Sequence, residues 1–558
     1  MAATIFITLF GGLGLFLFGM NIMSSGIEKA AGAKLRKILE IFTTNKYTGM
    51  LVGVIFTGII QSSSACTVMV VTFVNSGIMN LYQAVGVIFG ANIGTTVTSQ
   101  LVSFNLSQYA PVFVFLGVVM LYFIKKSMIK KVGEILTGFG VLFMGLSIMS
   151  GAMNEFKDIP AVPQFFGALT SPFLAILIGT FITAVVQSSS VTVSIILLMA
   201  NQGLLELPIS LFMILGCNIG ACCSAMLASF SGKKNAKRAA LIHLLFNIFG
   251  SVLIYLVLKL FMPQVINMLT AVSGDNIGRQ VANAHTIFKI AQVVVFLPFS
   301  SLLVKLTYLI IRGDDQKIGY RENMKLKYIG GNNIFSPATA VIEATKELER
   351  MALLASENLN RSMNALITLD EEDIQLVYET EQNINFLNHS ITDYLVKISQ
   401  VDLPVDDANL IGSLFHVVND IERIGDHAEN VADAAVKRKE KNLSFTKEAQ
   451  RELGSMLDMV NTLIRYSIDM FANNNEEHME DIIRLEDAVD EKERELQQAH
   501  VDRLTRSECS PEAGMIFSDI VSGLERVADH SINIAFATMD ADPKKAAARR
   551  VADQIIRI

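Results

Sequence analysis

The sequence predicts an all-α protein in two unlike parts. The first is a polytopic membrane domain of two inverted repeats with re-entrant helical hairpins; the second is a soluble six-helix domain of two three-helix bundles. Three observations predict this. Of 558 residues, 51% are hydrophobic and 18% charged, and the mean hydropathy is +0.43, too apolar for a soluble enzyme and too long for one domain. Residues 47 to 311 hold only scattered acids (Glu134, Glu155, Asp158, Glu206, Asp275), whereas charged residues crowd every helix-length window beyond Arg312. The apolar part also repeats itself. Gln61 and Gln187, opening QSSSACTV and QSSSVTVS, are 126 positions apart, as are Gly90 and Gly216, opening GANIGTTVTS and GCNIGACCSA, and the pairs Gly14/Gly140 and Gly19/Gly145. One offset kept over four motifs marks a duplication.

Taken in order, the first apolar run, MAATIFITLFGGLGLFLFGMNIMSSG, has no basic residue ahead of it and no A-x-A site. It therefore reads as a retained helix and not a signal peptide, and its counterpart at 134 to 152 is internal. Residues 50 to 76 and 171 to 201 each read as two short apolar segments broken at QSSS. Neither segment reaches the ~20 helical residues that cross a bilayer, so each region is expected to be a re-entrant hairpin. Spans at 81 to 100, 107 to 124, 207 to 230, 238 to 262 and 284 to 311 are expected to cross fully.

Orientation follows from four basic clusters: Lys29, Lys34, Arg36, Lys37 and Lys46; Lys125, Lys126, Lys130 and Lys131; Lys233, Lys234, Lys237 and Arg238; and Arg312 onward. With all four cytoplasmic, the first helix runs inward and its mate outward, which inverts the halves. The membrane domain is thus drawn at 1–312, with repeat 1 at 4–124, repeat 2 at 130–262 and an extra helix at 284–311. A polar, basic linker at 313–335, suited to an anionic leaflet, leads to the helical domain at 336–545 and a tail at 546–558. The five cysteines show no disulfide or zinc spacing and read as small packing residues. Tyr and Phe must serve at the interfaces, since the chain has no Trp.

Non-helical backbone at membrane depth is tolerated where it lines a cavity or is buried in protein, and inverted repeats with broken helices hold substrate near the midplane. Helix starts at the two QSSS tips would aim N–H groups and a positive dipole end at an oxyanion. Serine hydroxyls can donate to that anion, while amide, hydroxyl and freed backbone oxygens suit sodium. Such a site carries no formal charge of its own, so co-bound cations would supply it and couple the transport. A single SxxS-type cluster usually marks helix packing; the repetition at both breaks favours binding. For His243, His285, Arg279 and Lys289 the expected roles are packing, capping or snorkelling, and Glu206 and Asp158 are expected in external turns.

In the polar half, 3.6-residue periodicity predicts helices at 337 to 369, 371 to 400, 405 to 440, 446 to 473, 476 to 506 and 511 to 540, with Ser336-Pro337 and Ser510-Pro511 as start signals. A second duplication runs through them. NDIERIGDHAENVAD places Glu422 and Asp426 where SGLERVADHSINIA places Glu525 and Asp529, at an offset of 103. Each carboxylate pair is spaced i, i+4 and could clasp a divalent or ferric metal; equally, Arg423 and Arg526 could neutralise it on a solvated face. No P-loop or nucleophile–base constellation occurs, so the chain is not expected to be an enzyme or ATP-driven.

The paired QSSS and NIG motifs resemble the signatures of the type II sodium/phosphate cotransporter family, over nearly the whole membrane half. The 422–430 and 525–533 motifs resemble the tandem three-helix PhoU domain, including its E-x-x-x-D metal motif. What the resemblance implies is sodium-coupled phosphate symport by alternating access, regulated by a cytoplasmic PhoU-like domain, with sodium as co-substrate. It implies phosphate and sodium ligands at Gln61, Ser62, Ser63, Ser64, Gln187, Ser188, Ser189 and Ser190, supported by Asn92, Thr95, Thr192 and Asn218, and a metal at Glu422, Asp426, Glu525 and Asp529. The second repeat departs from the pattern, with Ala221, Cys222 and Cys223 where the first has Thr95, Thr96 and Val97, so symmetric ion binding is not expected. A multi-pass plasma (inner) membrane protein follows, with the C-terminal domain cytoplasmic, the lipid bilayer as partner, no nucleic acid, and homo-oligomerisation left open. The alternatives are a membrane-anchored phosphate sensor or scaffold, or a carrier of another oxyanion.

Overall fold

The computed structural model describes residues 2–41, 45–104, 106–156, 159, 162, 164, 169–230, 232–313, 324–330, 337–400, 405–473 and 475–540. The expected tail at 546–558, much of the linker, Ser336 and Asp158 lie outside the described residues. Every described regular element is helical, and the chain separates into two compact units, Met1–Gln316 and Lys317–Ile558.

In the first unit α1 (Ala2–Ile41) is longer than expected, because AGAKLRKILE continues the helix through the first basic cluster. α2 (Lys46–Ile60) starts at Asn45, whose side chain caps the backbone N–H groups of Tyr47 and Thr48, and is followed by α3 (Ser63–Ser76). Then come α4 (Leu81–Gly94), α5 (Thr96–Ser103), α6 (Ala110–Phe123) and α7 (Ser127–Phe156). The second half repeats this with α8 (Pro172–Val186), α9 (Ser189–Asn201), α10 (Leu207–Gly220) and α11 (Cys222–Ser229). Nearly every boundary from α2 to α5 recurs 126 positions later.

The spatial pairings recur with the boundaries. α2 lies along α4, and α8 along α10. Both approaches are close: a Cβ on Gly90 would meet the Met50 carbonyl oxygen at 2.0 Å, and one on Gly216 the Ile176 carbonyl oxygen at 2.0 Å. Cross-contacts are reciprocal. α3 packs against α11, while its counterpart α9 packs against α5, the counterpart of α11.

Two long elements close the unit. α12 (Lys234–Ser273) kinks at Phe261, two residues before Pro263. α13 (Ile277–Phe296) and α14 (Ser300–Ile310) are bent by 79° at a short break, where one helix at 284 to 311 was expected. The sequence between them, Leu297-Pro298-Phe299, is apolar throughout, so hydropathy runs on across a proline that interrupts the helix. α13 contacts α4 and α5 of the first half and α9 and α10 of the second. Among the described residues six helices are long and apolar enough to cross a membrane, or seven with the bent pair taken as one span.

The second unit is α15 (Pro337–Thr368), α16 (Glu371–Ser399), α17 (Val405–Glu440), α18 (Lys447–Asn473), α19 (Met479–Thr505) and α20 (Pro511–Asp540). These are the six expected helices, with ends shifted by at most a few residues. α15, α16 and α17 form one mutually packed triplet and α18, α19 and α20 the other, joined through α17 on α20 and α15 on α18. A single core holds both, from Leu348 and Ile421 in the first triplet to Leu463 and Leu524 in the second. The preceding strap, residues 324–330, is fastened to α15: the buried Glu347 carboxylate accepts from the backbone N–H groups of Lys327 and Tyr328 at 2.8 and 2.6 Å.

Candidate functional site

Both QSSS segments are helix breaks built the same way. Gln61 ends α2 with φ 60°, and Gln187 ends α8 with φ 57°, both left-handed. The next residue, Ser62 or Ser188, is extended and caps the following helix, accepting from the N–H of Ala65 at 3.1 Å and of Val191 at 3.4 Å. Ser63 and Ser189 are therefore the first residues of α3 and α9. Two chain reversals of this kind leave the early N–H groups of each helix facing the break.

The tips meet. The Ser64 hydroxyl donates to the Gln187 backbone carbonyl at 3.2 Å. The Gln61 side chain, 7% exposed, donates through Nε2 to the Gly58 carbonyl and accepts through Oε1 from the Thr98 hydroxyl at 2.8 Å. Gln187 is exposed, whereas Ser189 and Ser190 behind it are buried. The two tips thus differ in their surroundings despite a common backbone.

The supporting residues divide. Thr192 and Thr95 turn their hydroxyls back on their own helices, to the carbonyls of Ser188 at 3.1 Å and Ala91 at 3.0 Å. Asn92 is buried; its Nδ2 donates to the Ile88 carbonyl at 2.8 Å, and its Oδ1 accepts from the Lys289 ammonium at 2.7 Å. Lys289 also donates to Asn247 Oδ1 at 2.8 Å and is only 3% exposed. Expected to pack, cap or snorkel, it is buried with its amine on one of the repeated asparagines. Asn218, the mate of Asn92, is 1% exposed, with neither amide atom hydrogen-bonded among the described residues. His285 is fully buried, its Nδ1 3.0 Å from the Ser99 hydroxyl. Arg279 lies over the Phe104 ring, and Glu206 precedes α10. Cys66, Cys217 and Cys222 are buried, and Cys223 and Cys509 partly so.

In the second unit, Glu422 and Asp426 share a face of α17, with Arg423 3.0 Å from Asp426. Sequence reasoning missed Glu381, on α16. It is 2% exposed, both its carboxylate oxygens lack hydrogen-bond partners, and burial followed by the charges of Asp426, Glu429 and Glu422 pushes it up to about 8. A Cβ at position 425 would meet Glu381 Oε2 at 2.5 Å, so Gly425 is what lets this carboxylate approach α17. In the second triplet, Glu525 and Asp529 are also raised, chiefly by burial, and Glu486 on α19 is pushed up to about 7 by burial and then by Asp490, Asp487, Asp529 and Glu525. Of these carboxylates only Glu381 is both buried and without a hydrogen-bond partner, and among the described residues no three His, Cys, Asp or Glu side chains converge as a ready-made metal site.

Paired helix breaks meeting tip to tip among helices long and apolar enough to cross a membrane, followed by a second, all-helical unit, define a multi-pass membrane protein of the broken-helix class. Comparison with known proteins gives the particular family. The chain belongs to the Na+/Pi-cotransporter family, whose model matches residues 15–151 and 161–262, and carries a PhoU domain matched at residues 348–435 and 453–538. It is 23% identical over 535 residues to the "Putative inorganic phosphate export protein YjbB" of Salmonella typhimurium, covering 95% of this chain and 97% of that one. It is 30% identical over 299 residues to the uncharacterized protein YqeW of Bacillus subtilis, covering 53% of this chain and 95% of that one. A segment of 95 residues is 35% identical to the sodium-dependent phosphate transport protein 2A of Rattus norvegicus, covering 17% of this chain and 15% of that one. Phosphate transport is the function class these matches support.

Proposed function

We propose that the chain moves inorganic phosphate together with sodium by alternating access between two repeats inverted in the membrane, and that its C-terminal domain lies in the cytoplasm and regulates the flux. The observation that carries this reading is the meeting of the tips, with the Ser64 hydroxyl on the Gln187 carbonyl. Two helix N-termini and a set of serine hydroxyls then share one locus, which suits an oxyanion. Gln61, Ser62, Ser63, Ser64, Gln187, Ser188, Ser189 and Ser190 would line it, with Asn92 and Asn218 beside it. Thr95 and Thr192, whose hydroxyls donate to carbonyls of their own helices, would support it through their remaining lone pairs. Sodium would use amide and carbonyl oxygens, as hard cations do.

Gradients set the direction of such a carrier. The word export in the name of YjbB makes outward movement a reading to test alongside uptake. The experiment is labelled phosphate flux in proteoliposomes of known orientation, under a sodium gradient against an equal potassium gradient, with sulfate as competitor. Sodium-dependent flux blocked by phosphate and not by sulfate is expected; flux that ignores sodium would remove the coupling.

In the regulatory domain, the i, i+4 pairs Glu422 with Asp426 and Glu525 with Asp529 would each offer two carboxylates to a divalent or ferric ion. The metal would neutralise carboxylates that otherwise repel one another.

A further inference from the structure

We propose that the Lys289 ammonium is a tethered cation of the transport site, occupying on the first repeat's asparagine the place that a mobile cation takes on the second's. The inference rests on the carrier reading above and extends it to a residue outside both repeats.

Asn92 and Asn218 stand at the same position of the two repeats, 126 apart. Lys289 fills the oxygen of Asn92 at 2.7 Å, while both amide atoms of Asn218 are buried without a partner among the described residues. The two places are connected through packed groups. Asn247 accepts from Lys289, and its Nδ2 lies 3.4 Å from the Cys222 sulfur, which in turn lies 3.6 Å from the Asn218 backbone carbonyl. Lys289 is supplied by α13, which contacts elements of both halves and follows the duplicated segment, so the duplication gives it no counterpart.

Among the described residues no carboxylate pairs with Lys289; its hydrogen bonds go to the neutral amide oxygens of Asn92 and Asn247, so an ammonium here has no counter-charge from the chain. Burying an ammonium is costly even after relaxation, and ionisable groups inside membrane-spanning segments mark ion pathways. A helix-packing role would be met by Leu or Met without that cost. An oxyanion carrying about −1.5 charges at neutral pH supplies the missing counter-charge. Part of the compensation that co-transported sodium would otherwise give is then built into the chain, and the ammonium stays behind as the anion crosses.

The test is equilibrium binding of labelled phosphate to the purified full chain at stepped sodium, with potassium holding ionic strength constant. In Lys289→Gln, which keeps hydrogen bonding to both asparagines, phosphate affinity at low sodium should fall at least about tenfold. It should recover at high sodium, along a dependence steeper by about one ion. Lys289→Arg should keep the wild-type affinity and slope. Asn92→Asp, which places a carboxylate on the ammonium with little change of size, should weaken phosphate in the same direction; it serves if Lys289→Gln does not fold. Wild-type affinity and slope in Lys289→Gln, or wild-type affinity in Asn92→Asp, would overturn the proposal. If the wild type binds phosphate without regard to sodium, the coupling reading fails, and the contrast in phosphate affinity between Gln and Arg still decides the role of the lysine.

Discussion

Ser62 and Ser63 are neighbours with different work to do. Ser62 caps α3 through its side chain, whereas Ser63 is the first residue of the helix, at the break. Ser62→Ala is therefore expected to lower stability by about 1 kcal/mol, read as a shift in thermal unfolding. Ser63→Ala and Ser189→Ala should leave unfolding unchanged and abolish phosphate uptake; wild-type uptake in both would remove the tips as the binding site. Glu381 gives a pH signature. Its ordinary pKa is 4.5 and its folded value about 8, so between these the folded chain holds a proton that the unfolded chain has released. Stability then falls as pH rises through that window. Glu381→Gln should flatten the fall in thermal unfolding of the metal-free protein, and an identical pH profile would show that the carboxylate is relieved in some other way. The two QSSS helix breaks were legible because duplication printed the motif twice. Lys289 and Glu381 were not: each reaches its motif from a different helix, and neither lies in one of the duplicated motifs.

At the scale of elements, the hairpin limbs depend on glycine. Gly90 and Gly216 allow α4 onto α2 and α10 onto α8 at distances where any Cβ strikes a backbone carbonyl. Overpacking of this kind costs about 1–3 kcal/mol. Gly216→Val is expected to lower thermal stability by that order and to displace the second tip, with phosphate flux lost; normal flux would mean that the limbs can part freely. Helix boundaries in the second unit were legible to within a few residues, because charged and apolar residues alternate there at helical period. The bend between α13 and α14 was not, since apolar residues on both sides of Pro298 hide a break that only backbone geometry reveals.

For the whole molecule, the family assignment joins a membrane carrier to a PhoU domain that carries the same acidic i, i+4 pair in each triplet. Replacing Glu422 by Gln together with Asp426 by Asn is expected to lower the metal content of the purified full chain, by elemental analysis, and to alter flux without touching the membrane site. Unchanged metal content would leave these carboxylates to Arg423 and solvent. The division into two units was legible from charge distribution alone, while the reciprocal packing of α3 on α11 and α9 on α5 required coordinates. Gln61 and Gln187 show what this architecture gives up. Each is held in a backbone conformation natural to glycine, at about 1 kcal/mol of strain. A laboratory selection for thermal tolerance alone, run without phosphate, should therefore drift toward Gln187→Gly, yielding hardier proteins that have stopped carrying their cargo.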